Sequence, residues 1–204
     1  MAAGAARVPR LVLVTDRRAT QGRDLAAVVA AALDAGLPAV QLREKDLPGR
    51  ALLALAERLR ALTAARGALL LVNDRVDVAV AAGADGVHLG GGSMPVADAR
   101  RLLPAGALVG VSAHDPAELS QCAGDFAVFG PVFDTPSKRL FGPPQGLERL
   151  RAAVAASPVP VLAIGGVSAA TGRAVREAGA HGIAVIRAIL EAEDLAATTR
   201  ALLG

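Results

Sequence analysis

The sequence predicts an α/β fold, a (β/α)8 TIM barrel in a single compact domain, from three observations. Eight short apolar runs alternate with longer alanine- and arginine-rich stretches of helical character. The short runs are apolar throughout, as is typical of parallel strands that are covered on both faces. Polar residues gather where these runs end, and a parallel barrel opens all of its strand ends on one face.

Each strand candidate is followed by a helix candidate, and eight such pairs favour a closed barrel over an open doubly wound sheet. An open sheet of that kind normally has fewer strands and a glycine-rich first turn, whereas the first turn here reads Thr-Asp-Arg-Arg. The strand candidates are 11–15, 39–42, 69–73, 86–89, 109–112, 126–130, 161–164 and 183–186, and helices are predicted near 24–35, 50–66, 76–82 and 195–203.

Two turns that lead into strand candidates have nearly the same sequence. One reads Ala84-Asp85-Gly86-Val87 and the other Ala180-His181-Gly182-Ile183. Repetition of this kind is expected of a barrel that is built from repeated units. The sequence therefore predicts one turn geometry at both places.

Composition limits the partners and the location of the protein. No apolar run approaches the roughly 18–20 residues that a membrane span needs. The net charge is only +3, and four Phe with no Tyr or Trp offer few faces for stacking bases. We therefore expect phosphorylated small molecules as partners, with neither nucleic acid nor membrane. The single cysteine, Cys122, forms no internal disulfide and fits a reducing, cytoplasmic compartment.

The N-terminal residues 1–10 lack the apolar segment of a signal peptide. They are expected to form a disordered lead-in to a barrel over residues 11–204. Helix faces rich in glycine and alanine are compatible with a homo-oligomer, and equally with packing against the barrel alone.

The segment 41–45 continues the second strand candidate with charged residues. Strand alternation places Gln41, Arg43 and Lys45 on one side and Leu42 and Glu44 on the other. An arginine fork and a lysine ammonium suit phosphate oxygens, so this edge is interpreted as an anion-binding site. The alternative is a solvated loop in which the charged residues form a surface network.

Asn73 and Asp74 end the third strand candidate, beside this cationic edge. Mg²⁺ commonly takes one or two carboxylates together with phosphate oxygens and waters, which makes Asp74 a candidate ligand. A second interpretation, compatible with the first, is that one of the two residues caps the following helix.

Two further stretches suit phosphate groups. The loop 132–145 is the longest predicted connection, and long loops often serve as functional lids. Gly165 and Gly166 follow the seventh strand candidate, where barrel enzymes often bind phosphate on backbone N–H groups. The alternatives are a plain surface loop and a simple turn. The loop carries two hydroxyls and a lysine, Thr135, Ser137 and Lys138.

The chain has three histidines. His114 follows Ser112 at the end of the fifth strand candidate, where it could act as an acid or base, and an inert rim residue is the equal alternative. His88 lies inside a strand pattern and is interpreted as structural. His181 lies in a turn at the opposite end of the barrel and is expected to be exposed.

Eight stretches form an ordered set of motifs from about residue 11 to the end of the chain. They are Leu-Val-Thr-Asp (13–16), Val-Gln-Leu-Arg-Glu-Lys (40–45), Val-Asn-Asp-Arg-Val-Asp-Val-Ala (72–79), Gly-Val-His-Leu-Gly (86–90), Gly-Val-Ser-Ala-His (110–114), Phe-Gly-Pro-Val-Phe (129–133), Thr-Pro-Ser-Lys (135–138) and Ala-Ile-Gly-Gly (163–166). Together they resemble the thiamine phosphate synthase family, within a superfamily that also includes thiazole tautomerases.

The resemblance implies a transferase of thiamine biosynthesis with Mg²⁺ as its cofactor. Hydroxymethylpyrimidine diphosphate loses pyrophosphate, and the nitrogen of a thiazole phosphate attacks the carbocation-like methylene to give thiamine phosphate. Such a reaction depends on stabilising the charge of the leaving pyrophosphate more than on acid–base catalysis.

The same resemblance assigns roles to individual residues. Gln41 and Ser112 would contact the pyrimidine, and Asp74 would bind Mg²⁺. The catalytic set would be Arg43, Lys45, Ser112, His114 and Lys138. Pyrophosphate would be held by Arg43, Lys45, Asn73 and Lys138, and the thiazole phosphate by Thr135, Ser137, Gly165, Gly166, Ile186 and Arg187.

Two positions depart from the synthase pattern. Ser93 stands where the family has an aspartate as second Mg²⁺ ligand, and a neutral hydroxyl is a poorer ligand than a carboxylate. Arg187 stands where the family usually has a small hydroxyl residue, and it either strengthens phosphate binding or fills the space.

The change at Ser93 resembles the tautomerase branch, which isomerises a thiazole carboxylate phosphate by proton transfer and uses a histidine at the position of His114. That branch tends to lose the equivalents of Lys45 and Asp74, and both are present here. We therefore expect a synthase, with the tautomerase as alternative. A third hypothesis, from another class, is a non-catalytic binding protein of the thiamine pathway.

Overall fold

The computed structural model of the chain describes residues 8–135 and 143–204. Eight parallel strands close into a barrel in chain order, and the last strand pairs with the first. This arrangement confirms the predicted (β/α)8 fold in a single domain. The strands are β1 (Leu11–Val14), β2 (Ala39–Leu42), β3 (Leu69–Asn73), β4 (Gly86–Leu89), β5 (Leu108–Ala113), β6 (Phe126–Phe129), β7 (Val161–Ile164) and β8 (Gly182–Val185).

Helices connect the strands around the outside of the barrel. None of those in the described ranges is long and apolar enough to cross a membrane. They are α1 (Leu25–Asp34), α2 (Gly49–Ala64), α3 (Val76–Ala81), α4 (Val96–Leu102), α5 (Pro116–Leu119), α6 (Gly146–Ala156), α7 (Ala169–Glu177), α8 (Arg187–Leu190) and α9 (Leu195–Leu203).

Side-chain caps and backbone turns explain where the elements begin and end. The carboxylates of Asp24 and Asp194 accept the N–H groups that open α1 and α9, so α1 starts one residue later than predicted. Gly36, with φ +99°, follows α1 in the left-handed conformation that closes helices. β8 ends one residue earlier than predicted because Ile186 leaves the extended conformation, with ψ −85°.

The apolar core has two layers, one on each side of the strand backbones. In β1, Val12 and Val14 belong to the cluster inside the barrel, together with Phe126. Leu11 and Leu13 alternate with them and belong to the larger cluster between strands and helices. Burial on both faces explains why the strand sequences are apolar throughout.

The repeated turn lies at the amino-terminal end of the strands and has the same geometry in both copies. A Cβ atom on Gly86 would lie 2.1 Å from the Leu108 carbonyl oxygen, and one on Gly182 would lie 2.4 Å from the Arg10 carbonyl oxygen. Each glycine is therefore required because the backbone of the next strand passes directly over it. The prediction of one turn used twice is confirmed.

Residues that precede β1 close the end of the barrel at which the strands begin. Val8 is only 5% exposed and belongs to the interior cluster. His181 Nε2 lies 3.0 Å from the Val8 carbonyl oxygen and donates to it. The expectation that His181 is exposed is therefore wrong, since this side chain is half-buried and holds the incoming chain.

Candidate active site

Polar side chains from β2 and β3 meet at the carboxyl end of the barrel, which we call the mouth. Gln41 Nε2 donates to Asn73 Oδ1 over 3.1 Å, and Asn73 Nδ2 donates to Asp74 Oδ2 over 2.7 Å. Gln41 is buried and Asn73 half-buried, so this chain of amides holds both side chains in defined orientations. The network ends on a carboxylate, as expected for a site that binds a charged group.

Asp74 lies in a turn that aims its carboxylate at the loop after β4. Its φ of +61° is left-handed, a conformation that aspartate tolerates better than most residues. Oδ1 accepts hydrogen bonds from the Ser93 hydroxyl and, over 3.3 Å, from the Gly90 N–H. Lys45 Nζ lies 3.9 Å from Oδ2. The structure thus brings Lys45, Asp74 and Ser93 together.

These contacts keep Asp74 ionised. Burial acts to raise the pKa of Asp74, but hydrogen bonds from Ser93 and Gly90 and the charge of Lys45 outweigh it, so the pKa lies below its ordinary value. The interpretation of Asn73 or Asp74 as a helix cap is wrong. The residue that precedes α3 is Arg75, and within residues 8–135 and 143–204 no side chain caps that helix.

The donor set around Asp74 consists of one carboxylate and one hydroxyl. Within residues 8–135 and 143–204, no group of three acidic, histidine or cysteine side chains could enclose a metal ion. Mg²⁺ does bind to a single carboxylate when phosphate oxygens and waters complete its coordination. These residues therefore fit a cation that is bound together with a phosphorylated ligand.

The segment after β2 shows the predicted alternation. Gln41 points into the barrel, whereas Leu42 belongs to the outer core cluster. The Arg43 N–H donates to Thr15 Oγ1 over 2.9 Å, which ties the end of β2 to the end of β1. Inside the barrel, burial lowers the pKa of His88, the charge of Asp74 opposes this, and the charge of Arg43 adds to the lowering.

Glu44 forms a clamp with Arg17 and Asp46. The Glu44 side chain is 3% exposed and accepts both the backbone N–H and the guanidinium of Arg17, each over 3.0 Å. The same guanidinium donates twice to Asp46, over 2.6 and 2.5 Å. Glu44 is buried and so is not part of a solvated network, and the clamp joins two different loops.

A cavity of about 220 Å³ opens beside Asp74. Its apolar wall includes Leu47 and Leu52. Its polar wall consists of Glu44, Lys45, Asn73, Asp74 and Arg75. An apolar wall next to charged groups lowers the local dielectric, which strengthens the electrostatic interactions of these groups with a bound ion.

Ser112 enters the barrel from β5 and meets His88. Ser112 Oγ lies 2.9 Å from His88 Nε2. Space for the imidazole exists because Gly110 lacks a side chain, and a Cβ there would lie 2.3 Å from Phe126 Cζ and 2.8 Å from His88 Nδ1. The sequence alone predicts only a structural role for His88. Strand alternation from Gly86 would have placed it inside the barrel.

His114 lies on the exposed rim of the mouth. Its Nδ1 is 2.6 Å from the Gly130 carbonyl oxygen, and its backbone N–H donates to Glu118 over 2.9 Å. A carbonyl only accepts, so Nδ1 carries the hydrogen, and in the neutral ring Nε2 then carries a lone pair. The contact fixes His114 beside the end of β6, and a catalytic role for it stays a prediction.

The turn after β7 packs directly against the beginning of the loop 132–145. A Cβ on Gly165 would lie 2.5 Å from Pro131 Cβ, and one on Gly166 would lie 2.6 Å from the Asp134 carbonyl oxygen. Both glycines also have positive φ, +94° and +64°. The close approach brings Thr135, the residue after Asp134, toward this turn.

The structure shows less of the other residues that are predicted to contact phosphate, which are Ser137, Lys138, Ile186 and Arg187. Arg187 begins α8 directly after Ile186, and its Nε lies 3.5 Å from a Glu191 carboxylate oxygen one turn further along. Its guanidinium is thus directed along the helix, and its phosphate contact stays a prediction. Ser137 and Lys138 lie outside the described residues.

The chain is similar to proteins of a known family. Residues 11–189 match the family model described as thiamine monophosphate synthase. The chain belongs to this family. The match includes all eight strands of the barrel and every described residue of the candidate site.

Similar proteins carry the synthase name. A putative thiamine-phosphate synthase from Geobacter sulfurreducens is 52% identical over 197 residues, which is 95% of this chain and 92% of that protein. The thiamine-phosphate synthase of Roseiflexus castenholzii is 47% identical over 193 residues, 93% of this chain and 85% of that protein. The solved thiamine phosphate pyrophosphorylase from Pyrococcus furiosus has a TM-score of 0.85 and 37% identity, covering 95% of this chain and 93% of that one.

Proposed function

We propose that this member of the thiamine monophosphate synthase family joins hydroxymethylpyrimidine diphosphate to thiazole phosphate, giving thiamine phosphate and pyrophosphate. The observation that carries the proposal is the network from Gln41 through Asn73 to Asp74, with Lys45 3.9 Å from the carboxylate. The names of the similar proteins favour this activity over the tautomerase.

The residues of the mouth suit a reaction in which a diphosphate leaves. Arg43 and Lys45 would hold the negative charge that builds up on the departing oxygens, and Asn73 would donate to them once it is released from Asp74. Gln41 and Ser112, deeper in the barrel, would orient the pyrimidine. Thr135 and the turn at Gly165 and Gly166 would receive the thiazole phosphate on the far side of the mouth, with Ser137, Lys138, Ile186 and Arg187 as further contacts.

Mg²⁺ is the proposed cofactor, held by Asp74. When bound, it supplies positive charge that stabilises the leaving pyrophosphate. Ser93 contributes a hydroxyl rather than a second carboxylate, so we propose that the cation enters with the diphosphate and is weakly held without it.

If Asp74 holds the cation, one variant should weaken cation binding and so abolish turnover, and another should strengthen cation binding. Asp74→Ala is expected to abolish Mg²⁺-dependent synthesis because it removes the one carboxylate of the site. Ser93→Asp is expected to raise the affinity for Mn²⁺ alone by about tenfold, since it adds a second carboxylate. Turnover is measured as thiamine phosphate formed, and Mn²⁺ retention by equilibrium dialysis without substrate. Unchanged turnover in Asp74→Ala would remove the metal role.

The proposed function is tested by mixing purified protein with both substrates and Mg²⁺ and following pyrophosphate and thiamine phosphate together. Equal amounts of the two products, formed only when both substrates are present and not in EDTA, are expected. Interconversion of thiazole carboxylate phosphate tautomers that His114→Ala abolishes would instead identify the tautomerase. Tight binding of substrates without either reaction would identify a binding protein.

The proposed location is the cytoplasm, supported by the single cysteine, Cys122. The proposed partners are phosphorylated small molecules, without nucleic acid or membrane. A homo-oligomer stays a hypothesis, and analytical ultracentrifugation of the purified chain tests it.

A further inference from the structure

The His88 side chain is enclosed in the barrel beside the proposed pyrimidine position. It is 3% exposed, and its Nε2 lies 2.9 Å from Ser112 Oγ. In the described ranges, Nδ1 has no hydrogen-bond partner. The ring packs against Phe126, with 6.1 Å between the ring centroids.

Which ring nitrogen of His88 carries the hydrogen decides what Ser112 can do. Burial lowers the pKa of His88, the charge of Asp74 opposes this and the charge of Arg43 adds to it, so that the pKa lies at about 4. The ring is therefore neutral at neutral pH, with one N–H and one bare nitrogen. If Nε2 is bare, Ser112 donates to it; if Nε2 carries the hydrogen, Ser112 accepts.

Two considerations place the hydrogen on Nε2. A hydrogen on Nδ1 would be a buried donor without an acceptor, and such N–H groups are rarer than unsatisfied acceptors. In addition, His88 Nδ1 faces the edge of the Phe126 ring. His88 Nδ1 and the Phe126 atoms Cζ and Cε2 all lie within 2.8 Å of the position that a Cβ on Gly110 would occupy. The edge of an aromatic ring carries partial positive charge, which suits a lone pair better than an N–H.

We propose that His88 is a positioning residue that donates from Nε2 to Ser112 and thereby leaves the serine hydroxyl hydrogen for a ligand. In the described part of the chain, the Ser112 hydroxyl has no other hydrogen-bond partner. Ser112 then selects a hydrogen-bond acceptor, such as a ring nitrogen of a heteroaromatic group. This role rests on the proposed function, in which that group is the pyrimidine.

The tautomer is measured directly by ¹⁵N NMR of the intact, histidine-labelled protein at neutral pH. The chain has three histidines, and the His88→Gln variant identifies the signals of His88 by their disappearance. We expect a one-bond coupling between nitrogen and hydrogen at Nε2. At Nδ1 we expect the ¹⁵N chemical shift of a ring nitrogen that carries no hydrogen. A hydrogen on Nδ1, or a doubly protonated ring, overturns the proposal.

The consequence for the ligand is measured with a double-mutant cycle. His88→Leu removes the donor and is expected to lower kcat/KM about 30-fold, whereas His88→Gln can donate through its amide and is expected to stay within about fivefold of wild type. In a Ser112→Ala background, neither change should lower kcat/KM further. Additive losses, or full activity of Ser112→Ala, overturn the proposal.

The two readouts separate this inference from the proposed function. Absence of thiamine phosphate formation by the wild-type protein would contradict the function, and the NMR result would still decide the tautomer. Melting curves of each variant identify any that fails to fold. If His88→Leu fails, His88→Gln and Ser112→Ala complete the kinetic comparison.

Discussion

His88 shows how the environment of one residue sets its charge and its contribution to stability. Burial, with help from Arg43 and against Asp74, lowers its pKa to about 4. The unfolded chain binds a proton at this histidine near its ordinary pKa, so protons favour unfolding as pH falls from about 6.5 toward 4. Keeping His88 neutral in the folded protein therefore costs no stability above the upper end of that range, and the cost grows as the pH falls through it.

This linkage predicts that the free energy of unfolding falls between pH 7 and pH 4, by about 3 kcal/mol more in wild type than in His88→Gln. Urea unfolding at several pH values measures it. His181→Gln, at the other end of the barrel, is the matched control, because it keeps His88 and should retain the steep dependence. The same pH dependence in His88→Gln and wild type would contradict the buried neutral histidine.

At the scale of elements, the mouth is held by contacts between consecutive loops. The clamp of Arg17, Glu44 and Asp46 joins the loop after β1 to the loop after β2. The cationic residues Arg43 and Lys45 flank Glu44 in sequence, so the clamp fixes the strand end from which they project. A rigid strand end reduces the entropy lost when a diphosphate is bound.

Glu44→Gln tests the clamp. The amide keeps one acceptor for Arg17 but loses the charge, so we expect a melting temperature about 4 °C lower and a kcat/KM about tenfold lower for the diphosphate substrate. Glu57→Gln, on the exposed face of α2, is the control and should change neither. A loss of stability with unchanged kcat/KM would show that the clamp does not position the mouth.

The contact between the turn after β7 and the loop 132–145 can be tested by adding a methyl group to the turn. Gly166→Ala adds a Cβ 2.6 Å from the Asp134 carbonyl oxygen and is also strained at φ +64°. Gly22→Ala is strained at φ +79° but meets no atom within 4 Å. We expect Gly166→Ala to destabilise the protein by about 2 kcal/mol more than Gly22→Ala, as measured by chemical denaturation. Equal losses would mean that the close approach is absent in solution.

For the whole molecule, the sequence predicted the barrel because burial on both strand faces leaves a continuous apolar signal. It also predicted that Gln41 and Arg43 face one way and Glu44 the other, since alternation is local. The contacts of Asp74 with Ser93 and of Glu44 with Arg17 could not be predicted. They depend on a left-handed turn and on loop conformations that closure of the barrel brings together.

The contact of His88 with Ser112 likewise depends on the folded barrel and not on a local sequence pattern. A histidine within an apolar run reads as part of the core, and its partner Ser112 lies 24 residues away on the next strand. Only the register of β4 against β5, together with the small Gly110, places the two side chains in contact. The candidate site was therefore predicted residue by residue, but its internal hydrogen bonds required the folded barrel.

We propose that catalysis takes place at the mouth formed by the ends of β2, β3 and β5. The most direct test compares kcat/KM for thiamine phosphate formation in Arg43→Gln, at the mouth, and Arg58→Gln, on the outside of α2 where the arginine pairs with exposed Asp24. Both variants remove one arginine charge. We expect a loss of about 100-fold in Arg43→Gln and a change within about twofold in Arg58→Gln. Equal activities in the two variants would contradict the placement of the active site.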